Sequence, residues 1–193
     1  MIQLKTDQDS KGLFRNTLGG DRLACTVGGK TPTGFHAHFL NVDDPLDPKR
    51  AASIAELQNA RDFMTNVLPS RKVNKETAFT SLVMQRLDRL DPTAVMLEMG
   101  ERQNARNVRH IRLPGELTDS IQPPELAEKY IDGLMDPVRL PRKILEEYRA
   151  ALGSYGYAGQ VLQLPVPIGG GMFRQEWFNQ RVKAAPYHAK RIR

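Results

Sequence analysis

An open α/β fold is predicted by three features of this sequence. An apolar stretch, Phe39-Leu40-Asn41-Val42, ends at Asp43-Asp44-Pro45. A helical pattern runs from Ala51 to Leu68. A second apolar run, Ala78 to Leu87, follows it. Strand, helix and strand at this spacing read as the crossover connection of a parallel sheet.

The 193 residues suit one ordinary domain. Hydrophobic content of 40% and charged content of 26% are those of a soluble globular protein. The net charge of +6 is compatible with a polyanionic partner without requiring one. A single cysteine, Cys25, excludes a disulfide framework and a cysteine-rich zinc site. It fits a reducing compartment. No apolar run reaches the roughly 18 residues of a membrane span, and MIQLKTDQDSKG has no apolar signal core. A cytoplasmic protein without a membrane partner is expected.

The elements follow in order. Ile2 to Leu4 is a strand stub, and Arg22 to Val27 is a strand closed by Gly28-Gly29. Phe39 to Val42 is a short strand stopped before Pro45. In the helix from Ala51 to Leu68, Ile54, Leu57, Phe63, Met64, Val67 and Leu68 recur at helical spacing. Pro48 marks its start and Pro69 its stop. AFTSLVMQRL, from Ala78, has the continuous apolar centre of a buried parallel strand. VRHIRL, Val108 to Leu113, is a further strand before Pro114-Gly115. Pro141 to Leu152 is a second helix, with Ile144, Leu145, Tyr148 and Leu152 on one face, Pro141 in its first turn and Gly153 capping it.

ACTVGGKT, from Ala24 to Thr31, fits a relaxed phosphate-loop pattern. A working phosphate loop needs a helix immediately after it, because the helix amides hold the phosphates. Only seven residues, beginning Pro32-Thr33-Gly34, separate Thr31 from Phe39. The stretch therefore reads as a glycine-rich turn between strands. The aspartates resemble a Walker B element, a core strand ending in two acids that can hold a Mg²⁺ shell and orient water. Asp-Asp-Pro is also a common turn, and from these residues alone both readings stand.

Several segments together resemble bacteriophage terminase large subunits. GGKTPTGFHAHFLNVDDPLDPKRAAS looks like their Walker B region. SLVMQRLDRLDPTA is similar to their coupling motif, and VRHIRLPGEL to the strand and Leu-Pro after it. LGSYGYAGQVLQLPVPIGGGMFRQEWF resembles the link between motor and nuclease, with its Tyr-x-x-Gln, Pro-x-Pro, glycine run and Phe-x-x-x-Trp-Phe. The motifs cover nearly the whole chain in the family's order.

The resemblance implies a partial P-loop NTPase: an open, mainly parallel sheet with flanking helices, then a helical lid and an extended linker. Residues 1–120 would be the later part of the ATPase core, 121–164 the lid, and 165–193 the linker toward a nuclease. It implies ATP and Mg²⁺ as cofactors of the complete motor. Asp43 would anchor Mg²⁺ through water, Asp44 would be the base for the lytic water, and Gln85 would sense the γ-phosphate. It implies double-stranded DNA, a portal protein, a small terminase subunit and a homo-oligomeric ring as partners, in the host cytoplasm and transiently at the procapsid portal. The family's Walker A loop lies upstream of Walker B and its nuclease follows the link. A fragment inactive alone is thus expected: a split-gene product, a decayed gene or a truncated frame. The family's second acid is often glutamate; Asp44 has a shorter arm.

Other residues carry weaker expectations. Gln85 also suits a strand-end amide bonded to a loop. Arg86 and Arg89 could face a neighbouring subunit or DNA, but such residues are more often solvated surface charges, and no role is assigned to them. His36 and His38 alternate on a strand and lack a third ligand, so they read as structural. Tyr155, Tyr157, Gln160 and Gln163 belong to packing and relay within the lid. Trp177 and Phe178 pack the linker, and the cations from Arg174 to Arg193 either touch phosphate or are solvated. The competing function is a non-enzymatic basic phage structural or DNA-binding protein.

Overall fold

The computed structural model describes residues 4–9, 12–27, 29, 34–102 and 108–167. The architecture is mixed α/β, with a small parallel sheet, flanking helices and a separate antiparallel sheet. The turn from Gly28 to Thr33 and the linker residues Trp177 and Phe178 lie largely or wholly outside the described residues, as does the basic tail.

The N-terminal strands are β1 (Leu4–Asp9), β2 (Leu13–Asn16) and β3 (Asp21–Leu23). They pair as an antiparallel meander, with a slip in register between β1 and β2. Of the strand expected over Ile2 to Leu4, only Leu4 is among the described residues and it lies in β1, while the strand expected over Arg22 to Val27 is shorter. Asn16 makes the β2–β3 turn. Its side-chain carbonyl accepts the Leu18 and Gly20 amides at 2.9 and 2.8 Å, an Asx arrangement that competes well with continued strand. This antiparallel sheet is separate from the parallel pair, and the α/β class is as expected.

The parallel pair is β4 (Phe39–Asp43) and β5 (Phe79–Val83), in continuous register from Phe39 opposite Phe79 to Asp43 opposite Val83. Between them runs α1 (Ile54–Asp62), shorter than the Ala51 to Leu68 pattern. Ser53 sets the start, because its hydroxyl accepts the Glu56 amide and Glu56 places an acid in the first turn. Pro69 sets the end. It has no N–H to give to residue 65, so the chain widens into a π turn over Phe63–Val67 and tightens into a 3₁₀ turn over Leu68–Arg71.

The helix α2 (Pro92–Arg102) was not expected from the sequence. VRHIRL, conversely, is not a strand of the sheet. It makes one antiparallel bridge, between Arg112 and Gln122. Its apolar residues Ile111 and Leu113 are exposed while Arg112 is half-buried, so it presents the wrong face for a core strand. A 3₁₀ turn (Pro124–Lys129) leads toward α3 (Arg142–Gly156), which runs into a π turn over Tyr157–Val161. Pro141 caps α3 rather than entering its first turn. Gly153, with φ 66° and ψ −179°, is non-helical and closes the first of two successive helical segments after Leu152, as expected of it.

Among the described residues, only one face of the parallel pair is covered. Val42 packs with Met64, Leu68 and Val95, and Leu40, Leu82 and Met96 border them. A second cluster joins Leu46, Ala51, Leu57, Ala60 and Leu87. On the opposite face Phe39 and Phe79 stack at 5.3 Å and remain 56% and 61% exposed, with Val83 at 60%. Among the described residues, no helix is long and apolar enough to cross a membrane.

The two faces should respond differently to truncation. Met64→Ala is expected to cost about 2–5 kcal/mol in urea unfolding. Phe39→Ala should cost less than about 1.5 kcal/mol, chiefly the stacking with Phe79. Equal costs would contradict this packing.

Candidate functional site

The parallel register positions the acids. Side chains alternate along a strand, so burying Leu40 and Val42 turns Asn41 and Asp43 to the open face. Asp43 is the last residue of β4. The Asp44 amide then donates to the Val83 carbonyl at 3.0 Å, and Asp44 takes a left-handed φ of 39°, which aspartate tolerates. Gln85 lies two residues beyond Val83. Because the strands are parallel, Asp43, Asp44 and Gln85 share the carboxyl end of the sheet, within about two residue rises of one another along the strands, roughly 3.3 Å each. All three are exposed. Among the described residues neither carboxylate has a hydrogen bond or ion pair.

Free carboxylates at this position suit a water-rich Mg²⁺ shell, which takes one or two protein carboxylates and draws its other ligands from phosphates. They do not make a cage. Among the described residues no group of three or more His, Cys, Asp or Glu side chains could hold a metal ion. His36 and His38 are exposed on either side of Ala37, which bridges Lys72; they do not lie on a regular strand.

Beyond Gln85 the backbone is gripped from two sides. Asp91 is fully buried. Its carboxylate accepts from the Arg86 Nε at 2.9 Å, the Leu87 amide at 3.0 Å and the Ala94 amide at 3.0 Å. One side chain therefore caps α2 and pairs with Arg86, whose side chain is 11% exposed. Arg86, which was assigned no role from the sequence, is thus held in an internal ion pair. From the other side, the Gln163 side-chain carbonyl accepts the Arg86 amide at 3.2 Å, and the Gln163 Nε2 donates to the Gln160 carbonyl at 2.7 Å. The Tyr155 hydroxyl donates to the Leu87 carbonyl at 3.0 Å and lies 3.1 Å from the Asp88 carboxylate. Gly159 abuts the Arg86 carbonyl so closely that a Cβ there would sit 2.7 Å from the oxygen.

A cavity of about 210 Å³ opens beside this clamp, lined by Pro48, Ala52, Arg86, Tyr155, Gly159 and Gln160 among others. It lies between the turn following Asp44 and the segment following Gln85. Tyr157 acts elsewhere: its hydroxyl donates to Glu116 at 2.7 Å, Glu116 accepts from Arg149 at 2.8 Å, and the Arg149 guanidinium covers the Tyr157 ring at 4.4 Å.

Burial raises the Tyr155 phenol from 10.0 to about 12, and the contact with Asp88 adds to the shift. Burial also raises Tyr157 and Tyr130. The sequence signal for Asp91 was its place directly before Pro92 and three residues before Ala94, an N-cap followed by proline at the first helical position. The chain matches no family model, no curated protein and no solved structure.

Removing Asp91 leaves Arg86 and two amides without their acceptor. Asp91→Ala is expected to lower unfolding free energy by about 3–5 kcal/mol, and a loss under about 1 kcal/mol in chemical denaturation would refute the clamp. A tyrosine held protonated in the fold adds stability below its unfolded value of 10.0, and that stability is lost as pH rises toward about 12. Melting temperature should fall over this window, and Tyr155→Phe should flatten the fall. Tyr130 and Tyr157 would supply what slope remains.

Proposed function

We propose that this chain contributes the Walker B and coupling elements of a bacteriophage terminase large subunit, an ATP-driven motor moving double-stranded DNA into a procapsid. The reading rests on the motif order in the sequence. The single observation that supports it is the common carboxyl end shared by Asp43, Asp44 and Gln85 on adjacent parallel strands. Ligands of open α/β sheets bind at that end. Asp43 would hold Mg²⁺ through water, Asp44 would orient or deprotonate the attacking water, and Gln85 would respond to the terminal phosphate. The metal would supply charge neutralisation on the phosphates.

The described residues contain no cradle for β- and γ-phosphates, so no hydrolytic step is assigned to this chain alone. A phosphate loop would come from another stretch of polypeptide. Its arrival would also cover the open face around Phe39, Phe79 and Val83, since parallel sheets are ordinarily covered on both faces. The segment after Gln85 would pass a change at that residue to the Tyr155–Gln163 region through the contacts at Arg86 and Leu87. Portal protein, small subunit and a ring of copies belong to the same proposal.

The test is ATP turnover by the purified chain, alone and mixed with a polypeptide carrying a Walker A strand, loop and helix. The chain alone should be inactive. The mixture should turn over ATP, and Asp44→Asn should reduce the rate by roughly 10²-fold or more. Turnover by the chain alone, or a complemented rate indifferent to both Asp43→Asn and Asp44→Asn, would defeat the proposal.

A further inference from the structure

The cavity beside the clamp has no part in the proposed motor chemistry. Its volume of about 210 Å³ exceeds the roughly 150 Å³ in which an apolar protein cavity holds a benzene ring. Much of its wall is small or apolar, with Ala52, Leu152 and Gly156 in it. Two polar side chains, Arg86 and Gln160, also line it, and neither is fully engaged. The Arg86 Nε reaches both Asp91 oxygens, at 3.2 and 2.9 Å, while its two terminal nitrogens have no hydrogen bond among the described residues. The Gln160 side-chain amide has none either; only its backbone carbonyl is taken, by Gln163. The Gln160 Nε2 lies 3.8 Å from where a Cβ on Gly156 would stand. The charge balance then limits what can bind. Asp91 matches the charge of Arg86, so the wall offers donors without an unmatched cation. Burial first, and then Asp88 and Asp91, keep the Tyr155 phenol neutral up to about 12. The field beside it therefore does not favour an added anion.

We infer that this cavity binds a small, uncharged, planar ring with an amide edge, a carbonyl beside an N–H, as in a pyrimidinone base or a ring carboxamide. The Gln160 amide offers one donor and one acceptor to such an edge, the pairing that amide side chains make with bases. The terminal nitrogens of Arg86 donate to the carbonyl oxygen. The face of the ring packs on Ala52, Leu152 and Gly156. The wall is already ordered. Asp91 holds the Arg86 side chain, and Gln163 and Tyr155 hold the backbone of Arg86 and Leu87. Binding therefore has few groups left to immobilise.

Binding here does not depend on the motor reading, and it is tested without ATP or Mg²⁺. Uracil and nicotinamide are titrated into the full chain and followed through the Arg86 Nε–H and Gln160 side-chain NMR signals. At least one should shift these signals saturably, with a Kd on the order of 1 mM. Nicotinate, the same ring with an anionic carboxylate, should bind roughly tenfold more weakly. Gln160→Leu keeps the wall and removes the amide, and should weaken the better ligand roughly tenfold. Ala52 is an exposed part of the wall, so Ala52→Leu should fill the space and abolish binding. Neither variant removes a hydrogen bond made by a side chain, so both should melt close to the wild type. Tighter binding of uracil assigns the cavity to a base, tighter binding of nicotinamide to a ring carboxamide, and equal binding to the amide edge they share. No saturable shift with either compound, tighter binding of nicotinate, or binding unchanged in both variants would overturn the assignment.

Discussion

The register of β4 against β5 is the constraint from which the rest of the site follows. Asp43 opposes Val83, and the next amide, Asp44, closes the ladder on the Val83 carbonyl. A slip of one residue would send Val42 to the open face and Asp43 into contact with Met64 and Val95. The core cluster around Val42 therefore does more than stabilise. It selects which side chains of β4 face water, and so whether two carboxylates stand free at the strand ends. The parallel direction matters as much, since an antiparallel partner would have placed Gln85 at the far end of β4.

That arrangement leaves an imbalance. Parallel strands are usually buried on both sides, yet here the π and 3₁₀ turns after α1, together with α2, cover one side while a stacked phenylalanine pair occupies the other. The open face carries Asn41, Ser81 and Asp43 as well as Phe39, Phe79 and Val83. Polar residues toward the carboxyl end and aromatic residues at the amino end describe a surface with two demands. One end is fit for water and cations, the other for apolar contact. The same strands thus carry free carboxylates at one end and an uncovered aromatic pair at the other, within about five residues.

The sequence made β4, β5 and the body of α1 legible because period and stop signals agreed there: apolar alternation, the Asp-Asp-Pro break and flanking prolines. It misled at VRHIRL, which was read as a further strand closed by Pro114-Gly115. The polar members of that stretch, His110 and Arg112, are half-buried, and the Arg112 Nε donates to the Ser120 carbonyl. Such an inversion cannot be read from periodicity, which assumes that apolar residues point to the core. The α2 helix was hidden for another reason. Its signal is the cap Asp91-Pro92, and Asp91 reads as a loop acid until Arg86 is found beside it. Asp43, Asp44 and Gln85 were legible as residues. Their common end depended on the long-range pairing of segments some forty residues apart.

The grip on residues 86–88 distinguishes the part of the chain before Gly153 in α3 from the part after it, which runs through the π turn to Gln163. Gly153, with φ 66° and no neighbour within 4 Å of a would-be Cβ, lies between them. Before it, the buried Leu145 packs the helix, and Arg149 ties it to Glu116. After it, Tyr155, Gly159 and Gln163 all bear on the Arg86–Leu87 backbone. Gly159 has no room for a side chain, and Gln163 is held at a left-handed φ of 57°, so the later half is fitted closely to that backbone. Any shift of the peptide after Gln85 must therefore move this half or break three contacts. Since Gly153 is the one glycine between the halves with a left-handed conformation, the bend there is where such a shift can be absorbed without disturbing Leu145.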